Sequence, residues 1–156
     1  MKFLLIAALL AKLTAQSPDA KNDTSRFPGV WDLVSIHIRW PDGRVTQDWG
    51  VHPVGRIIYD QQGRVSALLM HADRNQSDGR QVPTEVAALF TGYYGTYSVD
   101  ESRRVVTHHV AASIRAAESK SLERSYEFKA TTLTLTARLT LDDKPVTAVL
   151  VWKRQP

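Results

Sequence analysis

The adjacent histidines His108 and His109 are the residues best suited to chemistry, because imidazole can bind a metal, transfer a proton or anchor a ligand. They lie in the segment VVTHHVAAS, residues 105–113, whose pattern predicts a β-strand. Neighbouring strand residues point to opposite faces of a sheet, so the two rings cannot bind one metal together. Since His108 shares its face with Val106 and Val110, we expect it inside the fold and His109 outside.

The remaining histidines do not extend this pair into a metal site. His37, His52 and His71 fall in separate segments, without the close spacing of metal ligands, and the chain has no cysteine. Metal binding needs three or four convergent ligands, so neither a metal nor another cofactor is predicted. The sequence also lacks a nucleophile elbow, a phosphate-binding glycine loop and a zinc-protease motif, so no catalytic residue is assigned.

Several other residues have the properties of a small-molecule pocket, which is apolar and carries a few polar groups. Arg56 alternates with apolar residues in a predicted strand, and Tyr97 belongs to a cluster of tyrosines. For each residue the alternative is ordinary packing, and for His108 it is a core histidine bonded to a neighbour. The candidate ligand-binding residues are His108, Arg56, Tyr97, Met70 and Phe90.

The first residues have the layout of a secretory signal peptide. Residues 1–15, MKFLLIAALLAKLTA, place Lys2 before an apolar run, which is shorter than the roughly 20 residues that span a membrane. The alternative is an amphipathic helix. The pattern predicts cleavage after Ala15 and a secreted or periplasmic protein, and loss of Lys2 and Lys12 would lower the formal charge of +4 by two. Residues 16–28 are polar and predict a flexible leader.

Partners are constrained by charge and hydropathy. Basic residues are scattered singly or in pairs, so a nucleic-acid partner is not predicted. No apolar run predicts a membrane span. Glycosylation sequons begin at Asn22 and Asn75, both in predicted loops, but their use depends on the source of the protein. The sequence leaves the oligomeric state open.

Residues 29–156 are predicted to form one all-β domain. Alternating apolar and polar residues predict eight strands with mostly short connections, and residues 83–92 predict one short helix between the third and fourth strands. Such connections favour an eight-stranded antiparallel up-and-down barrel, because closure removes exposed sheet edges. An interior of this size is filled by side chains or holds one small ligand.

The chain resembles the lipocalin-like domains, relatives of the calycin barrels. The resemblance rests on Gly29-Val30-Trp31 in GVWDLVS, with further blocks in residues 53–70, 83–101, 105–110, 133–135 and 149–154. It implies an up-and-down barrel with a lumen for a small, largely apolar molecule. It also implies that Trp31 packs against a basic residue of the last strand, for which Arg154 is in position. Standard lipocalins carry their helix after the eighth strand, so their pocket geometry is not transferred here.

Three alternative functions are compatible with the predicted barrel. The first is an exported lipocalin-like protein that binds one small hydrophobic molecule in its lumen without turnover. The second is a cyclase or isomerase, in which a His, Tyr or Arg polarises a substrate held by the barrel. The third is a filled barrel that acts through its outer surface.

Overall fold

The chain forms one antiparallel sheet in the computed structural model, which describes residues 22–72, 90–114 and 120–156. A single turn of 3-10 helix, Asp23–Arg26, precedes the sheet. The strands are β1 Gly29–Arg39, β2 Val45–Thr46, β3 Val54–Tyr59, β4 Arg64–Met70, β5 Phe90–Asp100, β6 Val105–Ser113, β7 Ser121–Lys129, β8 Thr132–Leu141 and β9 Lys144–Arg154.

The sheet closes on itself because β1 pairs with strands from both ends of the chain. On one side Trp31 lies opposite Ile57 of β3, and on the other side it lies opposite Arg154 of β9. The two-residue strand β2, which was not predicted, pairs only with the last two residues of β1. The eight long strands therefore form the closed antiparallel barrel that the sequence predicted.

The strand between residues 132 and 141 illustrates why these residues form a barrel wall. Leu133, Leu135 and Ala137 are buried, while the threonines between them point outward. The turn into β9 places Asp142 and Asp143 in the left-handed region, at φ 49° and 57°, which short polar side chains tolerate and which a two-residue hairpin requires. One apolar row and one tight turn thus define this hairpin.

One end of the barrel, the closed end, is plugged by Phe27, whose side chain is fully buried. Its ring meets those of Tyr59, Tyr126 and Phe128 edge to face, with centroids 5.2, 5.1 and 5.0 Å away. The backbone at this position is also held, because Trp31 Nε1 donates a hydrogen bond of 2.9 Å to the Phe27 carbonyl. The plug therefore packs aromatic rings against one another at this end of the interior.

The segment before β1 is more ordered than the sequence suggested. Asn22 caps the 3-10 turn by accepting a hydrogen bond from the Ser25 amide at 3.3 Å. The Glu101 carboxylate accepts hydrogen bonds from the Thr24 amide and hydroxyl, at 2.8 and 2.6 Å. The prediction of a flexible leader was therefore wrong for residues 22–28, because its polar groups find partners and Phe27 is buried. Residues 16–21 lie outside the described ranges.

The predicted helix, residues 83–92, falls largely outside the described residues. Its last three positions, Phe90 to Gly92, are strand residues of β5 and lie opposite Met70 to Leu68 of β4. The helix prediction was wrong for those three, because pairing with β4 continues to the very start of β5. The same strand has a bulge at Tyr94 and Gly95, where a Cβ on Gly95 would overlap the His109 carbonyl oxygen.

The contact expected between the first and last strands is present. The Arg154 guanidinium carbon lies 4.2 Å from the centroid of the Trp31 ring, which confirms the predicted cation-π pair. The same guanidinium donates to the carbonyl oxygen of Pro28 at 2.8 Å and to that of Arg26. Arg154 therefore ties the segment before β1 to the last strand at the closed end.

Candidate functional site

The interior of the barrel contains a cavity of about 190 Å³. Most of its wall is aliphatic, including Ile36, Ile57, Ala67, Leu135 and Leu150 from five different strands. The cavity is larger than the engineered cavity of about 150 Å³ that holds benzene, and smaller than the roughly 300–1,000 Å³ of drug-sized sites. It therefore has room for one small, mainly apolar molecule.

Two buried polar atoms belong to side chains of the cavity wall. Thr91 Oγ1, on β5, and Trp152 Nε1, on β9, are buried and find no hydrogen-bond partner in the described part of the chain. Leaving a buried donor or acceptor unpaired costs about 1–3 kcal/mol. The wall thus has hydrogen-bonding capacity that the described residues do not use.

A hydrogen-bonded cluster, His108 with Tyr59 and Tyr93, connects the cavity wall to the closed end. His108 is fully buried, with Nδ1 2.7 Å from the Tyr93 hydroxyl and Nε2 2.8 Å from the Tyr59 hydroxyl. A neutral imidazole has one donor and one acceptor nitrogen, so one tyrosine donates to the ring and the other accepts from it. Only Tyr93 of the three lines the cavity, so His108 itself lies behind the wall.

The cluster is uncharged at neutral pH. Burial lowers the pKa of His108 well below its ordinary value, and electrostatic interaction with the neighbouring Arg124 and His109 lowers it further. Burial likewise raises the pKa of Tyr59 well above its ordinary value. A general acid or base works best with a pKa near the working pH, and these two groups are shifted away from neutrality.

The charged side chain in the cavity wall is Arg124 of β7. It belongs to the inward row of that strand with Leu122, Tyr126 and Phe128, and it is partly buried. Among the described residues no carboxylate forms an ion pair with its guanidinium. Arg124 is thus a cation inside an apolar barrel without an anionic partner from the described protein.

Arg124 lies where two strands separate. β7 and β8 are paired from Lys129 and Thr132 up to Ser125 and Thr136, and beyond that point no pairing continues. We call this opening the β7–β8 gap. Arg124, Ala137 and Leu139 line both the interior cavity and the outer cleft at the gap. The Arg124 side chain therefore borders both the interior and the outside of the barrel.

Sequence comparison identifies the family. A profile of the lipocalin-like domain matches residues 28–155, a range that contains every strand of the barrel. The chain belongs to the lipocalin-like domain family. No curated protein matches the chain at a significant level. The family establishes a fold that suits small-molecule binding, and the cavity described above is where a lipocalin-like barrel of this size would hold a guest.

Two of the residues proposed from the sequence lie inside the lipocalin-like barrel. His108 points inward and His109 outward, as the alternation predicted, and His109 Nε2 lies 2.9 Å from the Ser98 hydroxyl. Tyr97 lies opposite His108 on the neighbouring strand, and its hydroxyl donates to the Asp60 carbonyl at 3.1 Å. Neither His108 nor Tyr97 lines the cavity, so their roles in ligand binding stay predictions.

The other three proposed residues lie on the outer face. Arg56 forms a two-point ion pair with Asp32, at 2.6 and 3.1 Å, and this hydrogen bonding lowers the pKa of Asp32. Met70 and Phe90 are paired across β4 and β5 in the outward rows, because the rows that alternate with them hold the buried Leu69. None of the three lines the interior cavity, so their roles in ligand binding stay predictions.

The polar residues of the cavity wall were missed in the sequence. Of these residues, Arg124 could have been found from the alternation of the strand. In SLERSYEFK it occupies the same row as Leu122, Tyr126 and Phe128. A charged residue in an otherwise apolar row is a reason to expect a buried charge with a function. Thr91 and Trp152 carry no comparable signal, because threonine and tryptophan are ordinary strand residues.

Two further kinds of feature, a metal site and a membrane-spanning helix, were sought in the described ranges of the lipocalin-like barrel. Within them no three histidine, aspartate or glutamate side chains come close enough together to hold a metal ion. No helix in the same ranges is long and apolar enough to cross a membrane.

Proposed function

We propose that this lipocalin-like barrel binds one small hydrophobic molecule in its interior cavity and releases it unchanged. The observation that carries the proposal is the aliphatic cavity of about 190 Å³, whose wall includes side chains with buried polar atoms that the described protein leaves unpaired. Protein interiors are close-packed, with few voids larger than a water molecule. A barrel that acted only through its outer surface would have no need of this space.

Binding without turnover is favoured over a cyclase or isomerase reaction. The buried His108 and Tyr59 are both held neutral at neutral pH, and His108 lies behind the wall rather than in contact with the cavity. Proton transfer to a substrate requires a group within hydrogen-bond reach of it. The described interior therefore favours ligand binding over proton-transfer catalysis.

Filling the cavity should abolish binding. Ala148 is buried on β9 and lines the cavity, so Ala148→Leu places three more carbon atoms inside it. We expect at least a tenfold loss of affinity for small neutral probes such as toluene and hexanol, measured by titration calorimetry. Extra carbons in a packed core cost about 1–3 kcal/mol, so circular dichroism must first show that the variant is folded.

The matched control is Ala112→Leu, the same change at an exposed position of β6. It should bind the probes as the wild type does. Equal losses in both variants, or no binding of any probe by the wild type, would count against an interior site. Native mass spectrometry of the protein purified from its source would then identify the natural guest.

We also propose that the protein is exported. The support is the short apolar run after Lys2, which has the layout of a signal peptide. Mass spectrometry of the protein recovered from the periplasm or the medium should find Gln16 as its first residue. Recovery from the cytoplasm with residues 1–15 intact would contradict the proposal.

A further inference from the structure

The starting observation is the environment of Arg124. It is the only arginine or lysine in the described wall of the cavity, and the side chains around it are mostly aliphatic. Arginine stays protonated in proteins, so the guanidinium carries its charge there. A partly buried charge is costly unless an opposite charge or hydrogen-bond acceptors compensate it. In the described residues, no carboxylate supplies that compensation.

Four other arginines of the described chain show how such a charge is usually compensated. Arg56 and Arg64 are paired with Asp32 and Asp60, and Arg154 donates to backbone carbonyls. Arg138 is exposed on β8, where water solvates its charge. Arg154 also faces inward, but backbone carbonyls and the Trp31 ring compensate its charge, whereas no carboxylate or hydrogen-bond acceptor of the described residues contacts Arg124.

We propose that the ligand is a small amphiphilic carboxylate whose carboxylate binds Arg124 and whose hydrocarbon part fills the cavity. This inference rests on the proposed function and specifies the ligand class. The planar guanidinium can bind a carboxylate through two parallel hydrogen bonds, which makes arginine well suited to this group. The aliphatic wall formed by Ile36, Ile57 and Leu135 matches the other end of such a molecule.

The position of the β7–β8 gap is compatible with binding of an amphiphilic ligand. Arg124, Ala137 and Leu139 border both the interior and the outer cleft, so a carboxylate on Arg124 keeps contact with water while its tail lies inside. Complete burial of both charges would carry a desolvation cost of several kcal/mol per ion, which this boundary position reduces. The cavity of about 190 Å³ restricts the tail to a short chain or a single ring.

Two further groups of the wall suit a polar ligand atom. Trp152 Nε1 is a donor only, and Thr91 Oγ1 can donate or accept. Both are buried without a partner among the described residues, and both side chains line the same cavity as Arg124. A second polar atom on the ligand, away from the carboxylate, would find a hydrogen-bond partner in one of these two groups.

The test compares carboxylates with alcohols of equal chain length. Titration calorimetry at neutral pH and low salt would measure hexanoate and octanoate against hexanol and octanol. We expect the wild type to bind the carboxylates at least tenfold more tightly. In Arg124→Gln the carboxylates should bind about tenfold to a hundredfold more weakly, the range for losing hydrogen bonds to a charged group, while the alcohols change little.

Two controls separate this site from general charge effects. Arg138→Gln removes an exposed arginine that lines only the outer cleft, and it should leave both series unchanged. Arg124→Lys keeps the charge but loses the planar fork, so it should keep a smaller preference for carboxylates. If Arg124→Gln fails to fold, the wild type still gives an answer, because added salt should weaken the carboxylates and spare the alcohols.

The outcomes distinguish this inference from the function on which it rests. If the wild type binds alcohols and carboxylates equally, or Arg138→Gln weakens carboxylates as much as Arg124→Gln, the anion site is refuted and interior binding stands. If neither series binds the wild type, interior binding fails and the anion site fails with it.

Discussion

Replacing Phe27 with alanine should lower the free energy of unfolding by about 3–5 kcal/mol, the usual cost of truncating a buried aromatic side chain. The ring is fully buried and meets four aromatic neighbours, so the surrounding side chains cannot collapse into the space it leaves. Small domains are stable by only about 5–15 kcal/mol, so this is a large fraction of the total. Urea denaturation followed by circular dichroism measures it.

An exposed apolar residue provides the matched control for Phe27. Ile114 directly follows β6 and has 62% of its surface exposed, so Ile114→Ala should change the free energy of unfolding by less than about 0.5 kcal/mol. If Phe27→Ala proved as mild as Ile114→Ala, the segment before Gly29 would not be part of the core. The sequence-based boundary at Gly29 would then be correct after all.

The second large effect is expected at His108. His108→Leu removes the hydrogen-bond partner of the buried Tyr59 hydroxyl and that of the Tyr93 hydroxyl at Nδ1. A buried hydroxyl left without its partner costs about 1–3 kcal/mol, so we expect the free energy of unfolding to fall by at least that amount. Urea denaturation at neutral pH is again the measurement.

A double variant tests whether hydrogen bonding causes the loss. In His108→Leu combined with Tyr59→Phe, no hydroxyl is left at position 59, and an apolar pair can be nearly neutral. The double variant should therefore be more stable than His108→Leu alone. If it were less stable by the full sum of the single effects, packing of the ring and not its hydrogen bonds would explain the result.

The same histidine should make the protein less stable in mild acid. The folded pKa of His108 is well below its ordinary value of about 6.5, so the unfolded chain binds a proton that the folded chain refuses. Stability from this group is complete above about pH 6.5 and is lost as the pH falls towards the folded pKa, by up to about 1.4 kcal/mol per pH unit. His108→Leu should flatten this slope, and the exposed His109→Gln should retain it. Equal slopes in the two variants would contradict the assignment.

The barrel could be predicted because its strands and turns are encoded by patterns of residues that are close together in the sequence. Alternation of apolar and polar residues gave the eight long strands, and it placed His108 inside and His109 outside, as the structure confirms. Short connections implied that neighbours in sequence pair with each other, which leaves β1 and β9 to close the sheet. The cation-π pair between Trp31 and Arg154 followed from the family resemblance.

The assignment of faces failed where both rows of a strand are apolar. In β3 the outward row contains Val54 and Ile58 while the inward row contains Ile57 and Tyr59, so hydropathy alone could not place Arg56. The same ambiguity affected Met70. Phe27 was overlooked for another reason, because one aromatic residue in a polar segment reveals its burial only through contacts with distant strands.

The pairing of the first strand with the last also determines when this protein can become stable. β1 and β9 lie more than a hundred positions apart in the chain, and the guanidinium of Arg154 reaches back to Pro28 across 126 residues. A nascent chain that still lacks β9 would therefore carry two unpaired sheet edges, on β1 and β8, which can pair with other molecules. Contacts of such long range also slow folding. We therefore expect aggregation chiefly during synthesis, before β9 has emerged from the ribosome.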